Sequence, residues 1–252
     1  MNKTILVTGA TSGFGKAIAE KFAANQSNII ITGRRKDALL ALANALETKY
    51  TIKVLPLTFD VRNKKEVFTI LSGLTDEWKN IDVLINNAGL ALGRDSFENA
   101  AIDDWETMLD TNVKGMMYVT RAILPYLIAK QKGHIINIGS IAGKEVYQYG
   151  NGYCASKYAV DALSKSMRID LLHHSIKVTA IHPGAAETEF SLVRFKGDAA
   201  KAAAVYEGYT PLYATDIADT VFYCTTLPEH VCINELTIMP TAQANANLFY
   251  KK

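Results

Sequence analysis

Short unbroken runs of Val, Ile and Leu alternate along the chain with longer stretches in which apolar residues recur every three or four positions. The unbroken runs predict strands at 4–8, 28–32, 53–59, 83–86, 134–138, 177–181 and 235–239. The periodic stretches predict helices at 15–24, 36–48, 64–78, 104–129, 153–173 and 216–225. Strands that are apolar without alternation are covered on both faces. The pattern therefore predicts an α/β fold: one Rossmann-like, doubly wound domain with a seven-stranded parallel sheet and helices on both sides. No repeat, low-complexity tract or Pro/Gly-rich linker marks a domain boundary within 1–252. One segment breaks the rhythm. From 184 to 215, directly after the sixth strand, helical and loop signals mix, as expected of a substrate flap.

Composition narrows the function classes. The 252 residues carry 27 Lys and Arg against 25 Asp and Glu, a formal charge of +2, which gives no reason to expect nucleic acid. An apolar share of 49% with 21% charged residues is that of a globular chain able to bury a core without metal or disulfide. No apolar run approaches the roughly 18 residues of a membrane span, and the stretch before Gly9 is too short for a secretory signal. Cys154, Cys224 and Cys232 have neither paired nor metal-ligand spacing and read as reduced thiols of a cytoplasmic protein. The histidines show no ligand spacing either, so no metal site is expected.

Candidate chemistry begins right after the first strand, with Thr8-Gly9-Ala10-Thr11-Ser12-Gly13-Phe14-Gly15 at a predicted helix start. Gly9 permits a tight turn, Gly13 lets backbone approach a pyrophosphate, and Gly15 allows close helix–strand packing. The free N–H groups at the helix start then favour an anion. Thr11 and Ser12 add hydroxyls. Such a turn is also found with a purely structural role, and its place between strand and helix favours the dinucleotide reading. At the end of the second strand, Arg34 and Arg35 stand where an NAD-preferring fold carries an acid for the ribose 2′-hydroxyl. Two guanidinium groups suit the 2′-phosphate of NADP, the alternative being a solvated basic helix start. After the third strand, Asp60 and Val61 would flank the adenine, or Asp60 would cap the next helix.

Tyr153 and Lys157 share one helix face, and Ser140 follows the fifth strand 13 residues before the tyrosine. A phenol titrates near about 10, too high for easy proton exchange at neutral pH, and an adjacent ammonium and an oxidised nicotinamide would both lower it. Tyr153 is then the acid–base, Lys157 its charged partner and a ligand of the nicotinamide ribose, and Ser140 a donor to the substrate oxygen. A Tyr-xxx-Lys spacing alone is common on surface helices. Its coincidence with the glycine turn and the strand-end serine gives it weight.

These motifs together, in order along essentially the whole chain, resemble the short-chain dehydrogenase/reductase family. The cofactor turn matches, with Phe14 where Ile or Leu is commoner. Asn86-Asn87-Ala88-Gly89 matches the motif after strand four, which implies cofactor contacts through Asn87, Ala88 and Gly89. The resemblance implies that Asn112 completes a proton relay through a water, Lys157 and the ribose hydroxyl. It also implies that Pro183, Gly184 and Thr188 contact the nicotinamide half. No catalytic position departs from the pattern. Longer matches at 86–93, 104–110, 133–140 and 187–197 resemble the NADP-dependent 3-hydroxy acid dehydrogenase subgroup, which acts on serine, L-allo-threonine and malonic semialdehyde. Sulfoacetaldehyde reduction is a close alternative. A ketoreductase for carrier-bound acyl chains and an NADPH-binding sensor without turnover are more distant ones.

The shared feature of the small substrates is an anionic head group. Arg194 in the flap is its candidate ligand, with Lys196 nearby; surface pairing of these cations with Glu187 or Glu189 is the alternative. Gln148 and Tyr149, between Ser140 and Tyr153, are further candidates for the pocket wall. The resemblance, with small and apolar positions Ala155, Ala159, Ala162 and Leu163 on one helix, implies a homotetramer. In the tail 243–252, Phe249 and Tyr250 suggest docking on a partner subunit.

Overall fold

The computed structural model describes residues 3–252. Seven parallel strands, β1 (Thr4–Val7), β2 (Asn28–Gly33), β3 (Val54–Thr58), β4 (Val83–Asn86), β5 (Gly133–Ile138), β6 (Ile176–Pro183) and β7 (Glu235–Ile238), lie in the order β3-β2-β1-β4-β5-β6-β7. The fold is the α/β architecture read from the hydrophobic pattern. Successive side chains of a strand point to opposite faces. Ile5, Val7, Ile29, Ile31 and Ile85 accordingly enter one core, and Leu6, Ile30 and Leu84 the other. Helices α1 (Gly13–Ala24) and α2 (Lys36–Tyr50) cover the first face, and α3 (Lys64–Ser72) the second. Strand order reverses between β1 and β4, which opens a crevice at the carboxyl ends of the strands.

Three helices depart from their expected bounds. The stretch 64–78 is not one helix: it ends before Gly73 and restarts after Thr75 as the single turn α4 (Asp76–Lys79). The stretch 104–129 is α5 (Ile102–Leu109), one π turn (Asp110–Gly115) and α6 (Met116–Lys130). At that widened turn Gly115 lies so near Val61 that a Cβ would stand 2.8 Å from its Cγ2. Helix α7 spans Asn151–Asp170, and the expected continuation to 173 is a separate 3₁₀ turn (Leu172–His174).

The segment after β6 folds into two short helices, α8 (Glu189–Arg194) and α9 (Ala199–Ala204), before α10 (Ala214–Thr226) returns to the sheet. The tail packs on its own chain. Gln243 is buried and accepts from the Ala185 N–H at 2.7 Å, the Ala246 N–H donates to Glu145 at 3.0 Å, and Phe249 packs on Tyr209. Tyr250 points outward.

A buried polar network ties the layers together beneath the crevice. Asn86 donates to Asn137 and to Thr120, both at 2.9 Å, and Asn137 donates to Ser164 at 2.9 Å, linking β4, β5, α6 and α7. Truncating one member strands the others in a medium that cannot solvate them. Asn137→Ala should therefore lower unfolding free energy by about 1–3 kcal/mol in urea titrations. A loss under about 0.5 kcal/mol would show that the remaining groups find other partners.

Candidate active site

The glycine turn runs from β1 into α1 at the crevice floor. Gly9 and Gly13 take φ of 66° and 52°, a left-handed conformation that side chains resist. A Cβ on Gly15 would fall 2.3 Å from the Gly9 carbonyl. Ser12 caps α1 without a side-chain hydrogen bond, and the first turn holds no acid, so its N–H groups face the cleft unserved. The motif after β4 staples this turn. The Asn87 amide donates to the Thr8 carbonyl at 2.8 Å, and the Thr8 hydroxyl accepts from the Asn87 and Ala88 N–H groups at 2.9 Å each.

One cleft of about 1000 Å³ runs over this turn to Tyr153, lined at one end by Arg34 and Arg35 and at the other by Arg194. Ala88, Gly89 and Val61 also border it, as do Pro183, Gly184 and Thr188. Arg35 donates to Thr11 at 3.0 Å and meets the Glu189 carboxylate of the flap at 3.3 Å. Arg34, exposed beside them, has no ion pair among the described residues. Asp60 does not cap α3; Asn63 does. Its carboxylate instead takes the Arg62 guanidinium at 2.6 Å. Burial pushes that carboxyl up, but the Arg62 hydrogen bonds and charge outweigh it and hold the pKa below the usual range.

Ser140 starts a 3₁₀ turn (Ile141–Gly143) at the end of β5, and its hydroxyl accepts from the Ala142 N–H at 3.1 Å. Tyr153 and Lys157 sit one turn apart in the first half of α7, both buried. The Lys157 ammonium donates to the Ile138 carbonyl at 2.9 Å and lies 5.9 Å from the Tyr153 ring centre. Burial lowers its pKa to about 8. Burial also raises the Tyr153 phenol above its ordinary value, Tyr147 adds to that, and the Ser140 hydroxyl and Arg194 oppose it. The expectation that the neighbouring ammonium depresses the phenol is thus corrected: within the protein itself, desolvation wins.

Asn112, in the π turn, spends its side chain elsewhere. It donates to the Leu90 carbonyl at 2.8 Å and to Ser156 at 2.9 Å, and accepts from the Leu90 N–H at 2.8 Å. Both amide hydrogens of Asn112 are thus engaged within the protein.

Of the two flap cations singled out in the sequence, Arg194 enters the cleft, and Lys201 of α9 also lines it. Its guanidinium lies 5.4 Å from the Tyr147 ring centre and 5.7 Å from that of Tyr153, and Nε donates to the Gly93 carbonyl at 3.3 Å. Nη2 is buried with no partner among the described residues. Lys196 pairs with Asp104 at 2.8 Å, clipping the flap to α5. Gln148 borders the cleft, whereas Tyr149, at φ 64°, turns to a separate apolar hollow with Phe97 and Tyr158. The pattern also missed Tyr147, Phe190 and Arg94, which line the cleft around Tyr153. Tyr147 had a faint signal, since it lies between Ser140 and Tyr153; Arg94 had none. A cluster of Asp161, His182 and Glu235 has metal-ligand spacing, but the Lys144 ammonium sits 2.8 Å from both carboxylates and fills the cation's place.

Comparison with known proteins agrees with this geometry. The sequence profile of the short chain dehydrogenase family matches residues 3–198. The NADP-dependent 3-hydroxy acid dehydrogenase YdfG of Salmonella typhi is 47% identical over 245 residues, covering 97% of each chain. Sulfoacetaldehyde reductase 2 of Chromohalobacter salexigens is 44% identical, over 97% of this chain and 96% of its own. The closed form of a serine dehydrogenase complexed with NADP⁺ superposes with a TM-score of 0.92 at 44% identity over 99% of both chains. The chain belongs to the short-chain dehydrogenase family.

The buried ammonium has a measurable consequence. Below pH about 8, Lys157 is charged in both the folded and the unfolded chain, and folding bears its desolvation in full. Between there and its ordinary value of 10.5, the unfolded chain binds more protons and stability rises with pH. Lys157→Met should therefore be more stable than wild type at pH 7 by about 1–3 kcal/mol, the gain fading toward pH 10. A stability difference that stays constant across this pH range would contradict the assignment.

Proposed function

We propose that this oxidoreductase transfers hydride between NADP(H) and a short 3-hydroxy acid or the corresponding semialdehyde or keto acid, with the acid head group on Arg194. The observation that carries the reading is the buried, unpartnered Arg194 Nη2 beside Tyr153. A guanidinium nitrogen without an acceptor in a part-buried site is costly, and an anionic ligand removes that cost. Serine, L-allo-threonine, 3-hydroxypropionate with malonic semialdehyde, and sulfoacetaldehyde all present such an anion, and the last keeps its place as the nearest alternative. A carrier-bound acyl chain or a sensor role leaves Arg194 without a purpose.

The residues present fit the dinucleotide. The unserved N–H groups of α1 suit its pyrophosphate, and Arg34 with Arg35 its 2′-phosphate. When bound, NADPH supplies the hydride. The protein does the rest. Ser140 donates to the carbonyl oxygen and steadies its developing charge. Tyr153, which burial keeps protonated, is in the form that gives a proton to that oxygen during reduction. Lys157, anchored on the Ile138 carbonyl, holds positive charge under the phenol and reaches toward the ribose. A water held by the Asn112 backbone carbonyl supplies the proton that Lys157 hands on, replacing the one Tyr153 gave up. Thr188 and Pro183-Gly184 border the nicotinamide end, and the flap from 184 to 215 excludes water over them.

The working molecule is a homotetramer in this reading. Ala155 and Ala162 of α7 are exposed, as are Ile102 and Leu109 of α5, which leaves small and apolar residues of both helices uncovered on the protomer. Free Cys154, Cys224 and Cys232 suit a reducing, cytoplasmic setting. Among the described residues, no helix is long and apolar enough to cross a membrane.

Arg194→Ala should raise KM for an anionic semialdehyde about 10-fold or more, with a far smaller effect on a neutral aldehyde of equal length. Equal losses would mean that Arg194 only ties down the flap. At the other end of the cleft, replacing Arg34 and Arg35 together by Ala should weaken NADP binding by about 2–4 kcal/mol and NAD binding much less. Fluorescence titration of both reduced cofactors checks this, and parallel losses would remove the 2′-phosphate assignment.

A further inference from the structure

His182 closes β6 directly beneath the turn that carries Ser140, and its side chain is wholly buried. The ring occupies the space that Gly139 leaves empty, since a Cβ there would stand 2.5 Å from its Nδ1. Nδ1 lies 3.3 Å from the Ser140 carbonyl oxygen, and Nε2 lies 3.5 Å from Asp161 Oδ1. Both neighbours are acceptors. Nδ1 has hydrogen-bond geometry to its acceptor and Nε2 has none, which assigns the proton to Nδ1 and leaves Nε2 facing Asp161 without a hydrogen bond.

Space filling does not explain this arrangement. A leucine would pack at the same place without desolvating two ring nitrogens. What the imidazole adds is a donor to the Ser140 carbonyl, whose other partner is the Gly143 N–H at 2.9 Å. With both bonds the Ser140 peptide is pinned between β6 and the 3₁₀ turn, and the direction of its hydroxyl follows. The surroundings hold the ring in the required form. Asp161 is shared by Lys144 and Lys165 at 2.8 Å each, and Glu235 of β7 also takes Lys144 at 2.8 Å. Burial, then the Lys144 charge, lower the His182 pKa against the pull of Asp161, the Ser140 carbonyl and Glu235.

We propose that His182 is a positioning residue: as the neutral, Nδ1-protonated ring it orients Ser140 toward the reacting oxygen through the Ser140 carbonyl, with the Asp161–Lys144–Glu235 chain as its backing. The inference rests on Ser140 being the donor to the substrate oxygen and is independent of which head group Arg194 holds. His182→Leu removes the donor while keeping bulk, and His182→Asn returns an N–H donor near the place of Nδ1.

The Leu variant should lose kcat about tenfold, with the NADPH dissociation constant and KM within about twofold of wild type, and the Asn variant should recover most of that loss. Rates are compared on whichever aldehyde the wild type reduces, so an error in the head-group assignment leaves the comparison intact. A Leu variant within about twofold of wild-type kcat, or an Asn variant no better than Leu, would overturn the proposal. Nitrogen-15 NMR of the wild-type histidines gives a second readout that needs neither turnover nor a folded variant. His182 should show Nδ1 protonated and Nε2 bare at pH 7; the opposite tautomer, or a charged ring, would overturn it.

Discussion

A phenol and an ammonium buried together at the rim of a parallel sheet form the constraint around which the rest of this molecule is arranged. Neither group is at ease there: desolvation lifts the Tyr153 phenol and brings Lys157 down to about 8. The fold supplies what compensation there is. Lys157 is given the Ile138 carbonyl at the end of β5, and Gly143 approaches so closely that a Cβ would stand 2.5 Å from the Lys157 carbonyl. Ser140, two residues beyond that same strand end, completes the group. Stability is given up at the place where chemistry needs strained charge states, a common pattern for active sites.

Charge is distributed along the cleft in the same spirit. Arg34 and Arg35 lie at one end and Arg194 at the other, while the two acids on the lining, Asp60 and Glu189, are each engaged by an arginine. The flap bridges these poles. Glu189 reaches Arg35 across the glycine turn, Lys196 reaches Asp104, and Arg194 extends over Tyr153. The two ends of the cleft are therefore joined by one short helix, α8, whose cap is Thr188.

Much of this was legible in the amino-acid order because it depends on local rules. Unbroken apolar runs imply two covered faces, and the paired cores of Ile5 and Leu6 bear that out. The glycines of the turn, and the four-residue spacing of Tyr153 and Lys157, are likewise properties of neighbours in sequence. What was not legible depends on contacts between distant segments. The π turn around Asn112 arises where Gly115 meets Val61, and no helical periodicity encodes it. Asp60 is engaged by Arg62, two residues on, through a side-chain fork that spacing does not distinguish from solvation, and the cap of α3 falls to Asn63. The tail folds back because Gln243 finds the Ala185 N–H, 58 residues away in the chain. Of the adjacent candidates Gln148 and Tyr149, a positive φ at Tyr149 sends the second out of the cleft while Gln148 stays on its lining.

Everything above assigns the proton to one oxygen, so its removal is the most direct test. Tyr153→Phe takes away that oxygen from a buried ring packed against Phe190 and leaves the hydrophobic contact in place. The variant should fold, bind NADPH as wild type does, and lose about 10²–10⁴-fold in single-turnover reduction of a semialdehyde. Retention of more than about a tenth of the wild-type rate, with cofactor binding intact, would place the proton on another group and contradict the mechanism.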